Sequence, residues 1–241
     1  MIRFYCPDLE PGMRQARLPE SDSQHCVRVL RMNEGDELEA TDGRGHIYSC
    51  RLAVAHPKRA ELEITDCREQ PKVWAPRITV AVAPTKHLDR MEWLVEKLVE
   101  IGVDRIVAVR CRRSERKELK TERLEKIAVS AMKQSLKAVL PEVTGPMALD
   151  EFLRECGSEP GQKFIGYCDS ATERVLLAKA YEPGSDVTIL VGPEGDFTPE
   201  EVDAALKAGF LAVTMGDNRL RTETAALVGA DTVHIINQRM L

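Results

Sequence analysis

The chain has 241 residues, enough for one large domain or two smaller ones, and a hydrophobic fraction of 43% supports a sizeable core. Its net charge of −5 excludes a uniformly basic nucleic-acid binder, and its apolar runs fall far short of the roughly 20 residues that span a bilayer. Seven cysteines, odd in number and never spaced Cys-x-x-Cys, argue against a disulfide framework and a metal site, and with an N-terminus (Met1-Ile-Arg-Phe-Tyr-Cys-Pro-Asp) that has no secretory apolar stretch they predict a cytoplasmic protein.

Residues 1 to about 70 read as short strands and turns. Ile2–Tyr5, Glu37–Thr41, Ile47–Leu52 and Ala60–Ile64 are strand candidates, Glu34-Gly35-Asp36 and Asp42-Gly43-Arg44-Gly45 supply turns, and one short helix is expected from Ser23 to about Leu30. The pattern predicts a small β-barrel. Arg28 and Arg31, three apart on that helix, share a face that is either solvated or phosphate-binding; His25 alone reads more readily as a packed histidine. Residues 71–77, punctuated by Pro71 and Pro76, read as a linker between a domain at 1–70 and one at 78–241.

The second half opens with a buried strand, Arg77–Ala83. Met91, Leu94, Val95, Leu98 and Ile101 then keep helical spacing up to Gly102. Arg105–Val109 is the next strand, and the loop after it holds Arg110, Arg112, Arg113, Arg116 and Lys117. Between Arg105 and Lys126 nine basic residues stand against four acidic ones. This patch, at the carboxyl end of a strand, reads as a phosphate-binding loop, the alternative being a solvated one. Thr121 opens a long helix whose stripe (Leu124, Ile127, Ala128, Ala131, Ser135, Val139) is stopped by Pro141. A shorter helix near Leu149–Glu155 and a strand at Lys163–Cys168 follow. Strands alternating with helices indicate a mainly parallel sheet.

The segment Val187–Ala226 carries the chemistry. Five mostly β-branched residues, Val187–Val191, run into Gly192-Pro193-Glu194-Gly195-Asp196-Phe197. Thr198 and Glu201 form a capping box with Pro199 at the first helical position, and Gly209 ends that helix. A second strand, Leu211–Met215, ends at Gly216, and a polar loop leads to Leu220-Arg221-Thr222-Glu223-Thr224-Ala225 at the head of the last helix. Gly-Pro-Glu-Gly alone reads as a tight turn. Two glycine loops at the carboxyl ends of neighbouring strands form a more specific signal, because open α/β sheets bind ligands there. The last helix, Glu223 to about Gln238, is apolar around much of its girth, as suits a core or a subunit contact. No dinucleotide fingerprint, Walker loop, His-Glu-x-x-His or Gly-x-Ser-x-Gly occurs.

Val191–Phe197, Gly216 and Leu220–Ala225 closely resemble the RsmE family, bacterial 16S rRNA uridine-N3 methyltransferases of the SPOUT class. His25–Arg31, Gly35-Asp36 and Asp42–Gly45 match that family's N-terminal half. The resemblance implies an α/β fold: a C-terminal trefoil-knotted (SPOUT), Rossmann-like parallel sheet with helices on both faces, plus a small N-terminal PUA-like β-barrel. It implies S-adenosylmethionine as methyl donor, 16S rRNA or the small ribosomal subunit as substrate, and a homodimer. It places the cofactor on Cys168, Leu190, Gly192, Pro193, Glu194, Gly195, Met215, Gly216, Leu220, Arg221, Thr222, Thr224 and Ala225. It offers Arg221, Glu223 and Glu194 as catalytic groups, although either carboxylate could instead bond loop or helix N–H groups. RNA contacts fall on Arg3, His25, Arg28, Arg31, Arg110, Arg112, Arg113, Gln134 and Lys137. Four positions depart from the family pattern, one of them Lys133, which stands where the family usually has a glutamate. Lys137 replaces an arginine and loses its fork, Asp196 replaces a glycine, and Asn218 stands where a basic residue is common. A SPOUT enzyme acting on another RNA, such as tRNA, and a non-catalytic ribosome-assembly factor are the competing readings.

Overall fold

A computed structural model describes residues 2–72, 74–116, 118–168 and 174–239, so Lys117 lies outside the described residues. The chain divides into two compact units, residues 1–73 with 129–140, and residues 74–128 with 141–241.

The first unit is a five-stranded mixed sheet in the order β1-β3-β4-β5-β2. Its strands are β1 (Arg3–Tyr5), β2 (Gln15–Arg17), β3 (Glu37–Thr41), β4 (His46–Val54) and β5 (Glu61–Glu69). β1 runs parallel to β3 and the other pairs are antiparallel. Phe4, Leu9, Leu18, Leu38, Tyr48, Leu52 and Leu62 fill its core. The β3–β4 turn is built by buried Asp42, which accepts from Arg44 N at 2.7 Å and pairs with His46 Nδ1 at 2.8 Å. Gly43 in this turn has φ +76°, and a Cβ there would stand 2.9 Å from the Tyr5 ring, so only glycine fits.

Four sequence expectations change in this unit. The helix begins earlier, as α1 (Glu20–Gln24), and continues as a π-helical turn over His25–Val29, with Leu30 N donating to His25 O at 3.0 Å. Arg31 lies beyond its end at φ +55°, so Arg28 and Arg31 do not share a helix face. Residues 129–140 belong with this unit although they were expected in the second domain: Thr41 Oγ1 donates to Ala138 O at 3.1 Å, Gly45 N to Ala138 O at 3.0 Å, and Leu140 N to Gly43 O at 2.8 Å. Arg3, expected on RNA, is buried. Its guanidinium bonds Glu39 at 2.7 Å, Gln70 at 3.4 Å and the Leu136 carbonyl.

The second unit contains β6 (Ile78–Val82), α2 (Leu88–Ile101), β7 (Arg105–Arg110), β8 (Glu142–Ala148), α4 (Leu149–Gly157), β9 (Gln162–Gly166), β10 (Val175–Leu176), α5 (Leu177–Ala180), β11 (Val187–Val191), α6 (Pro199–Lys207), β12 (Leu211–Thr214) and α7 (Thr222–Gln238). Helix α3 (Thr121–Gln134) begins in this unit. The seven strands, in the order β10-β12-β9-β11-β6-β7-β8, are all parallel. Alternation along β11 shows why both faces are covered. Leu190 joins the core under α4 and α6, whereas Ile189 meets Gly229 of α7. Gly102 ends α2 in the left-handed conformation, and Thr198, Pro199 and Glu201 cap α6 as expected.

Two elements differ from expectation. Helix α3 stops at Gln134 rather than running to Pro141, because Leu136 turns left-handed (φ +55°) and Lys137 N donates back to Met132 O at 3.1 Å. The Gly145-Pro146 pair masks β8, which tolerates a proline because it is an edge strand. All seven cysteines are free, and burial pushes the thiols of Cys6, Cys50 and Cys111 up to about 12, so these three are packing groups. Among the described residues no helix is long and apolar enough to cross a membrane.

Burial alone would raise the Glu39 carboxyl, but hydrogen bonds and charge from Arg3 and Arg68 outweigh it and hold the carboxyl below its ordinary value. A carboxylate lowered in the folded state adds stability above its unfolded pKa, and that stability fades as pH falls toward the folded pKa. Arg3→Met is therefore expected to cost about 3 kcal/mol at neutral pH by stranding Glu39. In urea titrations the variant and wild type should converge as pH drops through the usual glutamate range near ~4.3; parallel curves would refute the pairing.

Candidate functional site

β9, β11 and β12 are parallel and end at the same edge of the sheet. The two glycine loops do not follow neighbouring strands, as expected from sequence; β9 lies between β11 and β12, and a third loop joins them. The loops after these strands, with the first turn of α7, enclose a cavity of about 1080 Å³. That is the size of a pocket for a cofactor with room beside it, since small-molecule sites run to about 1,000 Å³.

Thr222 Oγ1 donates to Gly192 O at 3.0 Å and ties the head of α7 to the β11 loop. Gly192 backs onto Phe197, whose ring would lie 2.8 Å from any added Cβ. Asp196, at φ +61°, accepts from Cys168 N at 2.9 Å through Oδ2 and from Phe197 N at 2.9 Å through Oδ1, so it fastens the β9 loop to the β11 loop. Gly216, at φ +131°, borders the cavity, and a Cβ there would meet no atom within 4 Å. Side chains and backbone along the wall are mixed: Val191, Pro193, Val213, Met215, Leu220 and Ala225 are apolar, while Glu194, Asp196, Asp217, Arg174, Arg219 and Arg221 are charged. Apolar side chains for a purine, charged groups for a zwitterion and open space at Gly216 fit S-adenosylmethionine.

Of the residues expected at the cofactor, Cys168, Gly192, Pro193, Glu194, Met215, Gly216, Leu220, Arg221, Thr222 and Ala225 line the cavity. Leu190, Gly195 and Thr224 are not among its lining. Leu190 packs into the core beneath α4 and α6, and the missing Cβ of Gly195 would point at Arg113 Cβ, 3.2 Å away. Glu223 is also absent from the lining. It is buried with Oε1 3.7 Å from Arg90 Nη1, and its Oε2 has no hydrogen-bond partner among the described residues. Glu194 does line the cavity, with Oε1 accepting from Lys86 N at 2.9 Å. Sequence reading missed Gly166, Tyr167 and Arg174. The strand before the first two was legible, but its place beside β11 was not.

The residues expected on RNA separate into exposed and committed groups. His25, Arg28, Arg31 and Gln134 are exposed in the first unit, and Arg110 and Arg112 in the second. Lys137 is half-buried, and desolvation holds its ammonium below its ordinary pKa. Arg113 Nη1 donates to the carbonyls of Gly195 and Phe197, both at 3.1 Å, so this guanidinium serves the loop.

Residues 73–234 match the RNA methyltransferase domain family, and residues 18–65 match the RNA methyltransferase PUA domain. Fold and cavity thus define an RNA methyltransferase of the SPOUT class with a PUA-like first unit. The chain is 30% identical to ribosomal RNA small subunit methyltransferase E of Aquifex aeolicus (strain VF5) over 87% of this chain and 90% of that one, and 29% identical to that of Mycobacterium tuberculosis (strain CDC 1551 / Oshkosh) over 98% and 92%. It superimposes on a probable rRNA-methyltransferase from Porphyromonas gingivalis with a TM-score of 0.92 at 43% identity over 100% of both chains, and on a ribosomal RNA small subunit methyltransferase E from Neisseria gonorrhoeae bound to S-adenosyl methionine with a TM-score of 0.86 at 30% identity over 98% of both. The chain belongs to the RsmE family of RNA methyltransferases.

Asp196 offers a test of how the loops are held. Asp196→Ala removes the bond to Cys168 and places a Cβ-bearing residue without a polar side chain at positive φ, with an expected cost of about 1–2 kcal/mol. Asp196→Gly loses the same bond but relieves the backbone, so it should be close to neutral. Denaturant midpoints of the two variants that coincide would show that the φ of this residue is immaterial.

Proposed function

We propose that the chain binds S-adenosylmethionine in the cavity at the ends of β9, β11 and β12 and methylates N3 of a uridine in 16S rRNA of the small ribosomal subunit, working as a homodimer in the cytoplasm. The observation that carries the cofactor reading is the open space bordered by Gly216 between three loops that Thr222 and Asp196 tie together. The names of its relatives and the bound S-adenosyl methionine of the N. gonorrhoeae structure support the same reading. S-adenosylmethionine supplies a methyl already activated by its sulfonium for in-line displacement.

The chain's own residues then have three tasks. The loops hold the acceptor base and the cavity in fixed relation, so that reaction is effectively unimolecular. The target base must leave its stack to present N3 to the methyl group, and the exposed arginines of both units bind the flanking phosphates. N3 must also lose its proton. Arg221 is exposed and on the cavity wall, which supports a role in stabilising the negative charge that develops on the uracil oxygens. Glu194 is the better of the two carboxylates to receive the proton because it lines the cavity, whereas Glu223 is buried beside Arg90.

Calorimetric titration is expected to give low-micromolar binding of S-adenosylmethionine, about −7 to −8 kcal/mol. Ala225→Trp, which fills the cavity from α7, should abolish it. Nucleoside analysis of 16S rRNA from a deletion strain should lack 3-methyluridine, and its presence there would refute the assigned reaction. Light scattering should return twice the 26.9 kDa chain mass.

RNA docking on the first unit has its own signature. Each phosphate contact adds roughly 0.7–0.9 to the slope of log affinity against log salt. Arg28→Ala with Arg31→Ala should flatten the slope by about 1.5 to 2 and leave S-adenosylmethionine affinity unchanged. An unmoved slope would remove these two arginines from the RNA contact.

A further inference from the structure

The loop after β7 looks, in sequence, like a row of phosphate-binding arginines, but two of its guanidiniums are bound to main-chain carbonyls of the neighbouring loops. Arg113 Nη1 reaches Gly195 O and Phe197 O, both at 3.1 Å. Arg116 donates to Thr85 O at 3.3 Å and to Lys86 O at 2.8 Å, and Lys86 N in turn donates to Glu194 Oε1 at 2.9 Å. Both ends of the Glu194–Phe197 turn are therefore held from outside: one by the Lys86 amide, the other by Arg113. Its backbone has little to hold itself, since the Asp196 N–H to Pro193 O bond at 2.9 Å is a single turn bond and Asp196 sits at positive φ.

We propose that Arg113 is a positioning residue for the cofactor: it clamps the Gly195–Phe197 carbonyls, so that Pro193, Glu194 and Asp196 keep their places on the cavity wall before the cofactor arrives. This assignment rests on the reading that the cavity holds S-adenosylmethionine. Charge-assisted bonds to carbonyls are stronger than neutral ones, and a wall fixed beforehand spares binding the cost of ordering it. The absence of a side chain at Gly195 belongs to the same device, because a Cβ would stand 3.2 Å from Arg113 Cβ and 3.4 Å from its carbonyl oxygen.

The test uses the full chain, with calorimetric titration of S-adenosylmethionine and RNA binding at several salt concentrations. Arg113→Met should weaken cofactor binding about tenfold, or ~1.4 kcal/mol, raise the KM for S-adenosylmethionine more than it lowers kcat, and leave the RNA salt slope in place. Arg113→Lys, whose ammonium can donate to the same carbonyls less rigidly, should recover part of the loss, and an Arg113→Met denaturation midpoint close to wild type separates the clamp from a role in folding alone. Gly195→Ala, by pressing on Arg113, should reproduce part of the Arg113→Met effect if that variant proves insoluble. A salt slope reduced by about 0.8 with unchanged cofactor affinity would make Arg113 a phosphate contact and overturn the proposal. If the wild type itself fails to bind S-adenosylmethionine, the functional reading falls separately. Hydrogen exchange at the Asp196 and Phe197 amides then decides the clamp: faster exchange in Arg113→Met supports it, and unchanged exchange refutes it.

Discussion

The site depends on where β11 lies. Its five residues are all buried, it pairs in register with β9 on one side and β6 on the other, and its two faces pack under α4–α6 and under α7. A strand enclosed on four sides cannot shift without unpairing two ladders, so Gly192 emerges at a fixed point in the middle of the sheet edge. Chain order makes this more demanding. β6, β7 and β8 build outward to one edge, β9 is laid down beyond a gap, and β11 then fills that gap. The loop that closes the cavity therefore follows the strand whose neighbours come from both halves of the unit.

Around that fixed point the loops are held by side-chain-to-backbone bonds rather than by secondary structure. Thr222 holds Gly192 from α7, Asp196 holds Cys168 from the β11 loop, Glu194 accepts from Lys86 N, and Glu201 accepts from Arg112 N at 2.7 Å as well as from Thr198 N at 2.8 Å. The capping box of α6 is thus also a tie to the β7 loop. Such bonds contribute on the order of 1 kcal/mol each, enough together to favour one arrangement of loops that lack a ladder of their own.

The parts legible in the sequence are those set by neighbours in the chain. Thr198, Pro199 and Glu201 announce α6, Gly102 ends α2, and the β-branched run Val187–Val191 is a strand, because caps, turns and periodicity act over a few residues. What escaped reading is set by distant partners. Arg3 looks like any surface arginine until Glu39, Gln70 and Leu136 O surround it. The stretch 135–140 keeps a helical stripe, yet Thr41, Gly43 and Gly45 take its backbone groups. β8 is hidden by a glycine and a proline that only an edge position tolerates. In the site, the motif residues on Gly192–Glu194 and Met215–Thr222 were legible as loops, but the insertion of β9 between their strands, which brings Gly166, Tyr167 and Arg174 to the wall, was not.

The same distinction changes how the charge of this protein is to be counted. A net charge of −5 with a basic stretch from Arg105 to Lys126 suggests one concentrated electropositive surface. Yet Arg105 is buried and bonded to Glu155 at 2.6 Å, Arg113 and Arg116 donate to main-chain carbonyls, and Arg123 pairs with Glu92. The arginine fork suits these tasks because it reaches several acceptors at once, which a lysine ammonium does less rigidly. Arginines bonded to carbonyls still contribute their field, but they cannot turn to meet a phosphate without releasing the loops. In the proposed reading, direct phosphate contacts in this unit fall to exposed groups such as Arg110 and Arg112, and the electrostatic share of RNA affinity is smaller than the count of basic residues suggests. The arginines of this stretch thus build the shape of the loops as well as carrying charge.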